Sequence, residues 1–297
     1  MDRFLTMQLF VQVAELESFR KAADRLGMPP SSASTAIQAL ERQVGVRLFQ
    51  RTTRRVKLTA EGSQYLEACT RVLADLNDTD ALFTGPKNNP RGVVRVDLPE
   101  RLARLVIIPA LPAFVRRYPD IQIRLATRGQ LVNLVGEGVD CAVRVGYLAD
   151  SALVARGIGM LEQINCAAPS YLERQGTPHT LADLQHHLTV NYFSDRTGSN
   201  LPWEYVEHGQ TKTVRTRAAI SVSSSEAYVA CCLAGLGLAQ LPRRTIEDHL
   251  ANGQLAEVMP DYRAAPLPVS VVYPHQRQLA PRVRAFVDWV AEVMASS

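Results

Sequence analysis

The chain has 297 residues, 46% hydrophobic and 21% charged, a composition that suits two or three compact domains and excludes a disordered or fibrous protein. Its net charge of +4 is unevenly placed: residues 1–58 hold 10 Lys and Arg against 5 Asp and Glu, and residues 59–297 hold 23 against 24. Affinity for a polyanion is therefore expected at the N-terminal end and not in the remainder.

No stretch reaches the roughly 18 uninterrupted apolar residues of a membrane helix, and the N-terminus lacks the pattern of a signal peptide. The five cysteines, Cys69, Cys141, Cys166, Cys231 and Cys232, have neither metal nor redox spacing. These features predict a cytoplasmic protein with free thiols, no metal site, no cofactor and no membrane partner.

Residues 4–16 read as an amphipathic helix through Phe4, Leu5, Leu9, Phe10, Val13 and Leu16. A second helix carries Ala22, Ala23 and Leu26 on one face, and Gly27 followed by Pro29-Pro30 stops it. Ser31 or Ser32 then serves as the expected cap of a third helix, whose buried stripe is Ala33, Ala36, Ile37, Leu40 and Val44. The other face presents Ser31, Ser32, Ser34, Thr35, Gln38 and Arg42. Most of these side chains are short enough to let a helix enter a major groove, where Gln bonds adenine twice and Ser or Thr bonds bases or phosphates. The competing interpretation is a helical hairpin that only packs against its neighbours.

Residues 46–58 favour the groove reader, because they carry five basic residues and no acid. Val46, Leu48, Val56 and Leu58 alternate with polar residues, and Thr52-Thr53 mark a turn, which predicts a wing. Arg51, Thr52, Arg54, Arg55 and Lys57 would lie along phosphates, giving salt-sensitive affinity. No catalytic residues are assigned.

Thr59 caps the next predicted helix. Leu66, Cys69, Leu73, Leu76 and Phe83 fall three or four apart once the polar Asp80 is allowed as an interruption, and read as the seam of a helix pair, with a second copy of the chain as the partner. The expected organisation is a winged helix-turn-helix over 1–58, a linker helix over 59–84, a hinge over 85–92 and an effector-binding domain over 93–297. Within the last, lobe I covers about 93–162 and 268–297, and lobe II about 163–267.

Beyond the hinge, strands alternate with helices. Lobe I reads as strands over 93–98, 121–126 and 141–145 with helices over 102–118 and 131–137, a parallel α/β half. Lobe II reads as strands over 163–167, 188–192, 203–206, 214–217, 219–222, 237–241 and 255–258, with helices over 170–174 and 226–234. A strand over 269–273 and a helix over 281–294 return to the first lobe. The class is α/β, and a ligand is expected beyond the carboxyl ends of the strands. That places Pro99, Glu100, Arg101, Arg128, Gly129, Arg144 and Gly146 on one wall, and Cys166, Asn191, Tyr192, Phe193 and the Ser223-Ser224-Ser225-Glu226 turn on the other. Ser223 and Glu226 have capping-box spacing, so that helix could receive an anionic group. No glycine-rich phosphate loop, nucleophile elbow or metal spacing supports the competing class, an enzyme or solute-binding protein with a helical cap.

Phe19-x-x-Ala22-Ala23-x-x-Leu26, Ser34-x-x-Ile37-x-x-Leu40-Glu41, Gly45-Val46-x-Leu48-Phe49-x-Arg51-Thr52 and Leu58-Thr59-x-x-Gly62 together resemble the N-terminal signature of LysR-type transcriptional regulators. Pro109-x-Leu111-x-x-Phe114, Glu137-Gly138-x-Asp140-x-x-x-Arg144-x-Gly146 and Ala234-Gly235-x-Gly237 extend the similarity over nearly the full length. The resemblance implies a winged helix-turn-helix, a linker-helix dimer often paired again into a tetramer, and a periplasmic-binding-protein-like domain. It implies promoter DNA and a small metabolite of unknown identity as ligands, and RNA polymerase is kept as a candidate partner. Two positions depart from it. Thr35 stands where members often carry Arg or Lys, and Pro99-Glu100 stands where carboxylate-binding members commonly have Ser or Thr. The reactive cysteine pair of peroxide-sensing members has no counterpart, and Cys231-Cys232 read as packing residues.

Overall fold

The computed structural model describes residues 2–51, 56–83, 90–127, 134, 136–148, 153–194, 197–274 and 279–295. The chain forms two compact units that divide between Asn89 and Pro90. Of the expected hinge, 85–89 lie outside the described residues.

In the N-terminal unit, α1 (Arg3–Leu16), α2 (Phe19–Arg25) and α3 (Pro30–Val44) precede an antiparallel pair, β1 (Phe49–Arg51) and β2 (Val56–Leu58), and the long α4 (Ala60–Phe83). The turn between α2 and α3 is a Schellman motif. Met28 N–H donates to Ala23 O (3.0 Å), Gly27 N–H to Asp24 O (3.2 Å), and Gly27 takes φ +65°, a region in which glycine meets no Cβ penalty. The expected cap at Ser31 or Ser32 is not formed. Pro29 is extended because Pro30 follows it, and Pro30 begins the helix without an N–H to satisfy, so both serines fall in the first turn.

Ala22, Ala23, Ala33, Ile37 and Leu40 meet Leu9, Phe10 and Val13 in one core. Phe10 stacks obliquely on Phe49 (5.1 Å between centroids) and edge-on to Tyr65 (5.2 Å). Burying each such side chain contributes about 1.5–3 kcal/mol. The wing is shorter than its apolar alternation suggested. Val46 is exposed, and Leu48 and Phe49 are buried in succession because the chain drops into the core before pairing begins.

The C-terminal unit begins with β3 (Gly92–Asp97), then α5 (Glu100–Leu102), a π turn over Ala103–Ile107 and α6 (Ile108–Arg117). Pro109 and Pro112 lack the N–H for ordinary i−4 bonds, and the wider turn precedes them. Next come β4 (Ile121–Ala126), β5 (Cys141–Val145) and β6 (Leu153–Leu161). Of the helix expected over 131–137, residues 131–133 and 135 lie outside the described residues, and 136–138 form a turn.

Lobe II holds β7 (Gln163–Ala167), α7 (Pro169–Gln175), β8 (Leu188–Tyr192), β9 (Trp203–Glu207), β10 (Gln210–Val214), β11 (Arg217–Val222), α8 (Ser225–Leu233), β12 (Ala239–Pro242), α9 (Glu247–Ala251) and β13 (Ala256–Val258). Then β14 (Leu267–Pro274) and α10 (Pro281–Ala295) return to lobe I.

The lobe I sheet has the order β4-β3-β5-β14-β6. It is mixed where a parallel half was expected, since β14 runs antiparallel to both neighbours and β6 is a strand the periodicity missed. Lobe II is built from β12-β7-β13, the parallel pair β11-β8 and the hairpin β9-β10. The strand expected over 214–217 is broken: Val214 ends β10, Arg217 begins β11, and residues 215–216 join them outside any strand. Two crossings join the lobes, and side chains tie them: Gln163 Nε2 donates to Ala265 O (2.8 Å), and Arg263 pairs with Glu162 (2.7 Å).

Candidate functional site

On α3 the stripe Ala33, Ala36, Ile37 and Leu40 is buried, which turns Ser31, Thr35, Gln38 and Arg42 outward, with Ser32 and Ser34 half-buried beside them. Thr35 Oγ1 donates back to Ser31 O (3.0 Å), and Arg42 Nε donates to Gln38 O (3.4 Å), bonds that hold both side chains along the outward face of the helix. On the wing, Gln50 and Lys57 face each other across the hairpin and are both exposed, whereas Phe49 and Leu58 turn toward the core. Thr52, Arg54 and Arg55 lie outside the described residues, as does the side chain of Arg51.

The linker helix starts as expected: Thr59 Oγ1 accepts the Gly62 N–H (2.8 Å). The proposed seam divides. Cys69 is fully buried in the N-terminal unit's own core and Leu66 packs beside it, because α1 lies against the start of α4. Spacing cannot distinguish a helix's own core from a partner. Leu73 is half-buried and Leu76 is exposed, so the outward part of the stripe starts beyond Cys69. The side chain of Phe83 is not described.

In the C-terminal unit, Pro99 precedes α5 and Glu100 is exposed on it. Arg101 reaches across to lobe II. Its Nη1 donates to Glu226 Oε2 (2.8 Å), in the first turn of α8, and its Nη2 to Thr245 O. Arg104 joins the same carboxylate at 3.2 Å. Burial pulls the Arg101 guanidinium below its usual range, and the charge of Glu226 opposes that shift. The segment after β3 and the first turn of α8 are thus brought together by the Arg101 and Arg104 contacts to Glu226. The capping box is not formed: Ser224 caps α8 by accepting the Ala227 N–H (3.4 Å), which leaves Glu226 for the two arginines.

The other residues expected on the walls have these surroundings. Arg144 is buried and pairs with Asp97 (2.7 Å), also donating to Val143 O, so its charge is already engaged inside lobe I. Gly146 takes φ +97° and donates to Pro268 O (2.8 Å). Cys166 lies within β7 in the lobe II core, where its neighbour Cys232 and burial raise its thiol pKa. It is a packing residue. Tyr192 stacks edge-on to Tyr228 (5.5 Å), and Phe193 N–H donates to Val222 O (2.9 Å), which ties the ends of β8 and β11. Arg128 and Gly129 lie outside the described residues. Arg104 and Asp97 were not among the expected wall residues, and Glu226 was expected there without its arginine partners; each acts through a partner at least 47 positions away, which no local spacing reveals.

Residues 4–63 match the model for the bacterial regulatory helix-turn-helix protein, lysR family, and residues 87–295 match the LysR substrate binding domain. The HTH-type transcriptional regulator YhjC of Escherichia coli is 41% identical, covering 99% of this chain and 98% of its own. An HTH-type transcriptional repressor of Pseudomonas aeruginosa is 34% identical, covering 100% and 94%. Among solved structures, CrgA, a LysR-type regulator from Neisseria meningitidis, superposes with a TM-score of 0.62 at 30% identity, covering 98% of both chains. No helix among the described residues is long and apolar enough to cross a membrane. The chain belongs to the LysR-type transcriptional regulators, which are DNA-binding proteins with a C-terminal substrate-binding domain and not enzymes.

Proposed function

We propose that this regulator reads its promoter with the outward face of α3, through Thr35, Gln38 and Arg42 flanked by Ser31, Ser32 and Ser34, and holds phosphate with the wing residues Arg51, Thr52, Arg54, Arg55 and Lys57. The observation that carries this is the clean division of α3 into a buried stripe and an exposed polar face. Family members bind promoter DNA and oligomerise. The exposed Leu76 of α4, beside the half-buried Leu73, supports a dimer through that helix, and a dimer of dimers is the larger assembly proposed.

A small-molecule effector is proposed between the lobes, beside Arg101 and the Ser223-Ser224 turn, where it would change lobe closure and so DNA occupancy. No cofactor is invoked, RNA polymerase is the further partner, and the cytoplasm is the proposed compartment. The test is a binding-site selection with Gln38→Ala. An altered base preference at otherwise comparable affinity is expected; an unchanged preference would remove Gln38 from direct base readout.

A further inference from the structure

The segment between α3 and the wing is gripped from two sides. On one, Glu41 Oε1 accepts the backbone N–H groups of Leu48 (2.8 Å) and Phe49 (3.1 Å). On the other, the Thr59 hydroxyl donates to Arg47 O (2.7 Å) and the Thr59 N–H to Leu48 O (3.0 Å). Gly62 lies so close that a Cβ there would stand 2.0 Å from the Leu48 carbonyl oxygen. Leu48 and Phe49 are buried, so water is a poor substitute for either acceptor. A carboxylate on a helix that meets phosphates is a cost in itself. Here that cost is offset by a structural use.

We infer that Glu41 is a positioning residue for DNA binding: its carboxylate docks the root of the wing on the reading helix, so that α3 and the hairpin meet DNA as one surface. This rests on the reading of α3 and the wing as DNA contacts. β1 starts at Phe49, one of the two residues Glu41 holds, and β2 follows it in register, Phe49 opposite Leu58 and Gln50 opposite Lys57. The offset between Lys57 and the exposed face of α3 is therefore fixed through Glu41. Cations held at the right offset bind phosphates without a further ordering cost, whereas a loosened wing must be ordered on binding.

Two variants of the full-length chain separate position from charge. Glu41→Asp keeps the charge but is one methylene too short to reach both N–H groups, and Glu41→Gln keeps the reach and an acceptor oxygen but loses the charge. Binding to a random-sequence duplex is measured across a salt series. Glu41→Asp is expected to bind several-fold more weakly, its log K against log salt flattened by about 0.9 for each phosphate no longer neutralised. Glu41→Gln is expected to bind at least as tightly as the native chain. A native-like Glu41→Asp, whatever Glu41→Gln does, or a Glu41→Gln weakened as much as Glu41→Asp, would overturn the inference. Lys57→Ala keeps the two readings apart. A native salt slope in Lys57→Ala removes the wing as a phosphate contact, whereas a flattened slope there beside a native Glu41→Asp removes only the positioning role.

Discussion

The two units use charge in opposite ways. In the N-terminal unit Arg20, Lys21, Arg25, Arg42, Arg47 and Lys57 are exposed, and every ion pair found among the described residues lies in the C-terminal unit. There Arg144 is spent on Asp97, Arg101 and Arg104 on Glu226, and Arg243 and Arg263 on Glu162 and Glu257. Cations facing water carry exchangeable counterions that a polyanion can displace. Cations with internal carboxylates instead fix the position of one strand or lobe against another. The same residue type thus serves an outside partner in one unit and the fold in the other.

Removing charges one at a time should expose that difference. Asp97→Ala strands a buried guanidinium and is expected to cost about 3–5 kcal/mol in denaturant unfolding, whereas Asp97→Leu with Arg144→Leu should recover much of the loss. If the single variant were nearly as stable as the native chain, the buried pair would not be structural. Glu226→Ala leaves Arg101 with only the Thr245 carbonyl across the lobes, and a loss of about 2 kcal/mol is expected from the same measurement. Lys57→Ala should change stability by less than about 0.5 kcal/mol while weakening DNA binding. A larger loss of stability there would end the contrast, because it would make an N-terminal cation part of the fold.

The parts legible in the sequence were those whose physics is local. Gly27 and Pro29-Pro30 announce the helix-turn-helix, because a left-handed residue and a missing N–H act within a few positions. Thr59 announces α4 in the same way. Tertiary pairings were not legible. Arg144 and Arg101 were read from their places after strands, without the carboxylates they pair with, because Asp97 and Glu226 lie 47 and 125 residues away. Cys69 looked like an intermolecular contact because helical spacing names a face without naming what covers it. Glu41 stood in plain view beside Leu40, yet the N–H groups that reach its carboxylate lie seven and eight residues onward, beyond any capping motif. β6 escaped for another reason. Residues 153–161 include Gly157 and Gly159 and alternate irregularly in burial, so neither strand period nor strand propensity marks them.

The place of β6 in its sheet bears on how the protein is made. Among the described residues its sole strand neighbour is β14, which leaves the ribosome after the whole of lobe II, roughly a hundred residues later. At about 5–20 residues per second, the nascent chain holds Val154, Ile158 and Leu161 in an unpaired strand for on the order of ten seconds. Lobe II, uninterrupted in sequence, can close first. Lobe I must wait for β14 and α10, so a truncation that removes them would leave a sticky strand exposed and the earlier half of its sheet unfinished.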